Sequence, residues 1–188
     1  MKTMSKGIIL CFSLLGSMQL YAANEITITG RVIDSTCTLT GTTGTNTGSN
    51  NIGVLLDTVP ASSFTGLNST LATKPFSLQL TQSNGTAPCD SVSIAGLKGI
   101  SLSVASSGYI NSSTLLNTAY TGPNNRVNLQ VLTDNDIPVT FDTTYPNQPK
   151  SAVSSTGLIT YKARYILSAT TAIAQDVQGK VTYVLEYN

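Results

Sequence analysis

Histidine and tryptophan are absent from these 188 residues, and Asp, Glu, Lys and Arg together supply only 10% of them. Without histidine there can be no Ser-His-Asp or Cys-His nucleophilic site and no imidazole metal ligand. Charge is sparse and balanced, ten basic residues against nine acidic ones, with no basic run. That argues against nucleic acid or an anionic membrane surface as a partner. The one hydrolytic arrangement composition leaves open is a carboxylate pair, yet nine acids are the ordinary surface complement of a domain this size. Asp134 and Asp136 in TDNDIPV (133–139) resemble the start of a calcium loop. The downstream Gly and Glu of such a loop are missing, so a polar hairpin turn is the better reading. We expect no catalytic activity, no cofactor and no metal.

Long apolar runs are also missing, with one exception. Lys2 and Lys6 precede GIILCFSLLGSM (7–18), and Leu20-Tyr21-Ala22 offers a small residue for cleavage. Residues 1–22 read as a secretory signal peptide, too short to span a membrane. Two of the ten basic residues leave with it, and the eight that remain against nine acids give the exported chain a net charge of −1. Of three cysteines, Cys11 lies inside the signal, leaving Cys37 and Cys89. An even pair in an oxidising compartment reads as one disulfide, two unpaired thiols being the alternative.

What the sequence does have is alternation. Runs of period two, separated by Gly, Asn, Ser, Thr and Pro, predict strands over 25–33, 51–59, 74–81, 91–96, 99–106, 126–133, 137–142, 157–169 and 179–187. No stretch keeps a helical period for three turns, so the fold class is all-β, a sandwich. TGTTGTNTGSNN (40–51) reads as a loop. Asn68-Ser69-Thr70, Asn84-Gly85-Thr86 and Asn111-Ser112-Ser113 match the glycosylation sequon, as chance allows in a chain rich in these residues.

Both ends alternate. Ile26, Ile28, Gly30 and Val32 share one face near the start of the exported chain; Val181, Tyr183, Leu185 and Tyr187 share one face at its end, with Val184 on the other. On spacing alone these are ordinary first and last strands, or one of them serves another molecule.

The residues themselves resemble a family. ITGRVIDSTCTL (28–39), Val54-Leu55-Leu56 with Ser63-Phe64, KPFSLQL (74–80), Leu115-Leu116-Asn117 followed by RVNLQVLTDNDIPV (126–139), Tyr161-Lys162-Ala163-Arg164-Tyr165 and the ending Tyr183-Val184-Leu185-Glu186-Tyr187-Asn188 are similar, in that order, to pilins of the bacterial chaperone–usher class. The pattern departs from the family at Gln175, where a Gly is usual, with Gly179 further on. It departs again at Cys89, nine residues after Leu80, and in the long loop 40–51.

The resemblance implies an incomplete immunoglobulin-like sandwich of residues 33–188, completed by a donor strand from a neighbouring subunit. It also implies a donor-strand extension, residues 23–32, presenting Ile26, Ile28, Gly30 and Val32. The terminal strand, with Val181, Tyr183, Leu185 and Tyr187, would flank the acceptor groove and meet a periplasmic chaperone. An outer-membrane usher and neighbouring copies of itself or related pilins would be the other partners, and the product a fimbrium on the cell surface. Extended, residues 23–32 reach about 33 Å, and burying Ile26, Ile28 and Val32 contributes about 5–9 kcal/mol. In an ordinary strand Gly30 would instead mark a bulge. The alternation leaves open which face of the terminal strand meets the groove. The competing class is a complete secreted sandwich that binds a glycan or receptor, for which loop aromatics such as Tyr109, Tyr120 and Tyr145 would serve.

Overall fold

The computed structural model describes residues 37–46, 51–105 and 107–187. The predicted strand 25–33, and with it Ile26, Ile28, Gly30 and Val32, lies outside them. Eight strands are present: β1 (Cys37–Gly41), β2 (Thr70–Gln82), β3 (Leu97–Ser103), β4 (Tyr109–Asn111), β5 (Thr114–Leu115), β6 (Val127–Thr133), β7 (Leu158–Leu167) and β8 (Thr182–Tyr187). They form a six-stranded sheet in the order β1-β2-β7-β6-β5-β4 and a two-stranded sheet, β3-β8. Every pairing is antiparallel.

The pleat sorts the side chains. On β2, Phe76, Leu78 and Leu80 turn to the core, and their cross-strand partners on β7, Tyr161 and Ile159, do the same. Leu39, opposite Leu80, is fully buried. The small sheet meets this layer with Leu97, Ile100 and Leu102, and opposite them Tyr187, Leu185 and Tyr183 pack against the same cluster. The Cys37–Cys89 pair is joined as a disulfide, with 6.0 Å between Cα atoms, tying β1 to the loop after β2.

Several predicted strands take another form. Residues 91–96 are a helical turn, α1 (Ser91–Gly96), because Asp90 caps it: its Oδ1 accepts from Ser93 N–H at 2.9 Å. Residues 51–59 run irregularly, apart from a short 3-10 turn that follows at Ala61–Ser63. There the Lys74 Nζ side chain, not a neighbouring strand, donates to Leu55 O at 2.8 Å and pairs with Asp57 at 3.3 Å. Residues 137–142 keep an isolated bridge, Leu132 to Pro138, beside which Val139 N–H donates to Val131 O at 2.9 Å, and then leave β6, Phe141 N–H donating to Ser112 O at 2.6 Å. TDNDIPV makes the expected turn, with Thr133 N–H donating to Ile137 O at 2.9 Å and Asp136 at φ 62°, its carboxylate paired with Lys162 at 2.7 Å.

Candidate functional site: a groove beside the terminal strand

A groove of about 990 Å³ opens between the two sheets. Phe76, Leu78, Leu129, Val131 and Tyr161 line it from the large sheet and Leu102 and Tyr183 from the small one. The irregular segment 51–54, Val104, Leu115 and the lead-in to β8, residues 179–181, are also part of its lining. A smaller cleft of about 640 Å³ shares Leu56 with it and is lined by residues 58–61 and 173–177 among others. Two close approaches shape the groove near β8. A Cβ at Gly179 would overlap Leu115 Cδ2 and come within 2.9 Å of Leu129 Cδ1, so only glycine lets the chain lie this near the large sheet.

β8 has one ladder among the described residues, that with β3. Its polarity can be worked out. The Leu102 N–H and C=O both bond the Gln148 carboxamide, at 2.7 Å each, so they point away from β8. Successive residues in an antiparallel pair alternate in which side their backbone groups face. Ser101 and Ser103 therefore bond Val184 and Thr182, their partners in register. It follows that the N–H and C=O groups of Tyr183 and Leu185 face the opposite edge of β8, where no partner stands among the described residues.

The predicted terminal-strand residues divide accordingly. Tyr183, Leu185 and Tyr187 are half-buried against the core. Val184 points outward, 55% exposed, and Val181 lies just before the strand, 37% exposed. The faces left open by the sequence are thus assigned: Tyr183, Leu185 and Tyr187 inward, Val184 outward. The Tyr187 hydroxyl is buried without a well-formed hydrogen bond. Burial pushes its pKa up, with the Cys37 backbone N–H pulling the other way and the Asp90 carboxylate reinforcing the rise. Of the groove residues, Leu115 and Leu129 lie in stretches that carry the resemblance, whereas no motif singled out Leu102 or the groove role of Gly179. The three leucines stand at inward positions of alternating runs; Gly179 carries no signal in sequence beyond being a glycine.

Cys37 Sγ, Cys89 Sγ and an Asp90 carboxylate oxygen fall within 4.8 Å of one another, but the two sulfurs are spent on each other. Asp90 itself is held below the usual carboxylate range by its hydrogen bonds to Ser93. Tyr109, which lies in β4, and the loop residues Tyr120 and Tyr145 are half-buried and each packs on a neighbour within the fold. Tyr109 packs on Phe141 at 6.5 Å between ring centroids, Tyr145 lies under Lys150 Nζ at 4.6 Å, and the Tyr120 ring covers Gly122. No helix among the described residues is long and apolar enough to cross a membrane.

No protein-family profile matches the chain, and no curated protein matches it in sequence. Solved structures do. The P pilus rod subunit PapA is similar at a TM-score of 0.54 and 16% identity, over 87% of this chain and all of that one. An antigen and type I fimbria protein of Burkholderia pseudomallei gives 0.48 and 18%, over 84% of this chain and all of that one. At such identity the likeness to PapA is one of fold, and it agrees with the two antiparallel sheets of the described residues: the chain has the fold of a pilin, an open immunoglobulin-like sandwich.

Proposed function

We propose that the chain is a structural subunit of a chaperone–usher fimbria, polymerised by donor-strand exchange. The observation that carries this reading is the edge of β8: a strand with one ladder among the described residues, its remaining N–H and C=O groups turned to an apolar groove between the sheets. Such an edge invites strand addition, in which main-chain bonds give affinity and alternate side chains give register. The occupant we assign is residues 23–32 of a neighbouring copy or related pilin, with Ile26, Ile28 and Val32 filling the groove and Gly30 in the same register. In transit a periplasmic chaperone holds the edge, and at the outer-membrane usher the next subunit replaces it. Residues 1–22 direct export, and the finished fibre stands on the cell surface, where it serves adhesion or biofilm formation. The binding-module alternative loses its main support, because Tyr109, Tyr120 and Tyr145 are engaged within the fold.

Complementation tests the reading. An Ile26→Asp/Ile28→Asp chain can accept but not donate; an Ala163→Trp chain, filled at a residue lining the groove, can donate but not accept. Neither polymerises alone, and their mixture yields a one-to-one complex in sedimentation. Two variants that stay monomeric when mixed would overturn it.

A further inference from the structure

The two-stranded sheet has two edges, and the protein treats them differently. Among the described residues the β8 edge has no partner. On the β3 edge, Gln148 Oε1 accepts from Leu102 N–H and Gln148 Nε2 donates to Leu102 O, both at 2.7 Å. The same nitrogen reaches Thr140 O at 2.7 Å and Thr143 O at 3.1 Å, which fastens the side chain to its own loop. A primary carboxamide carries the same donor and acceptor as a peptide group, so Gln148 occupies the place of one residue of a neighbouring strand. Gln148 is 3% exposed, a cost its hydrogen bonds offset. The cover extends along β3: the Lys150 side chain lies over Gly99, where a Cβ would come within 2.5 Å of Lys150 Cδ.

We propose that Gln148 is a surrogate strand residue that blocks the β3 edge at Leu102 and so confines strand addition to β8. The proposal rests on the donor-strand reading and adds a reason for fibre geometry. With β3 blocked, the small sheet offers one acceptor edge, which suits an unbranched chain of subunits, whereas an open β3 would be a second site of edge pairing on that sheet.

The test uses the full chain as wild type, Gln148→Ala and Gln148→Met. The Met variant fills a similar volume without the amide and serves if the Ala variant fails to fold. Amide hydrogen exchange and electron microscopy are read together. The expected result is exchange at Leu102 faster by about tenfold or more, with Ser101 and Ser103, which bond β8, unchanged, and assemblies that branch or fuse laterally. Faster exchange at Leu102 with unbranched, wild-type assemblies would overturn the proposal, since the amide would then only hold its loop. Unchanged exchange would overturn it as well. Should the wild type form no fibres, the donor-strand reading falls by itself. Sedimentation of the variants against wild type then decides the β3 claim: added self-association supports it, and none refutes it.

Discussion

Leu102 and Tyr183 stand opposite each other across the β3–β8 ladder, and their backbone groups turn in opposite directions. Those of Leu102 go to a buried glutamine amide at 2.7 Å. Those of Tyr183 leave on the far side, toward a groove lined by Leu129, Val131 and Tyr161. Their side chains share one face and both pack on the core. Among the described residues the strand is therefore anchored by its side chains and by one ladder, while its second row of hydrogen-bonding groups faces away from β3.

If residues 23–32 are that strand, polar substitution on their apolar face weakens assembly. Ile28→Asp should remove about 2–3 kcal/mol of burial and lower polymer yield severalfold in sedimentation, whereas Thr27→Asp, on the other face, should leave it near wild type. Equal loss from both would contradict the assigned register.

Gly179 tests the packing beside the groove. Gly179→Ala places a Cβ against Leu115 and Leu129, both on strands of the large sheet that cannot withdraw freely. The overpacking should cost about 1–3 kcal/mol, read as a lower denaturation midpoint. A midpoint equal to wild type would mean that the lead-in to β8 moves without penalty.

The disulfide closes a loop of 52 residues. In the chain-entropy model its loss costs about 4 kcal/mol. The Cys37→Ser/Cys89→Ser chain should melt far below wild type and gain little further loss from added reductant. A melting temperature like that of the wild type would show that β1 is held by its ladder with β2 alone.

Alkaline pH should destabilise the fold. Tyr161, Tyr165 and Tyr187 all have pKa values raised from 10.0, chiefly by burial. A group whose folded pKa lies above its unfolded one contributes stability that is intact below the unfolded value. That contribution is lost as pH rises from 10 through the folded value. Tyr187→Phe should be as stable as wild type or more so at pH 7, because its hydroxyl is buried without a well-formed partner, and it should lose less stability above pH 10. Chemical denaturation at pH 7 and 10.5 checks both parts.

The strands that could be read from sequence are those whose alternation lasts. KPFSLQLT, RVNLQVLT and the late Tyr161–Tyr165 run lie in β2, β6 and β7 as expected, because one face of each is committed to the core. Residues 91–96 misled for a local reason. Ser-Val-Ser-Ile alternates over too few residues to separate a strand from a turn of helix, and the deciding signal was the cap, Asp90 with Ser93 three residues on. Residues 51–59 alternate only partly, and Leu55 proves 69% exposed; nothing local says that a lysine will take the place of a strand there. The edge of β8 was legible only as a face, Tyr183, Leu185 and Tyr187. Which way its backbone groups point is set by its register against β3, Tyr183 opposite Leu102, and no local pattern carries that.

The most direct measurement is a thermal melt of residues 33–188, alone and with a synthetic peptide of residues 23–36. The account predicts a marginal fold that associates readily and that the peptide stabilises, slowly and by a margin growing with its concentration. A stable monomer whose melting temperature ignores the peptide would mean that the sandwich is complete without a donor, and would contradict the account at its centre.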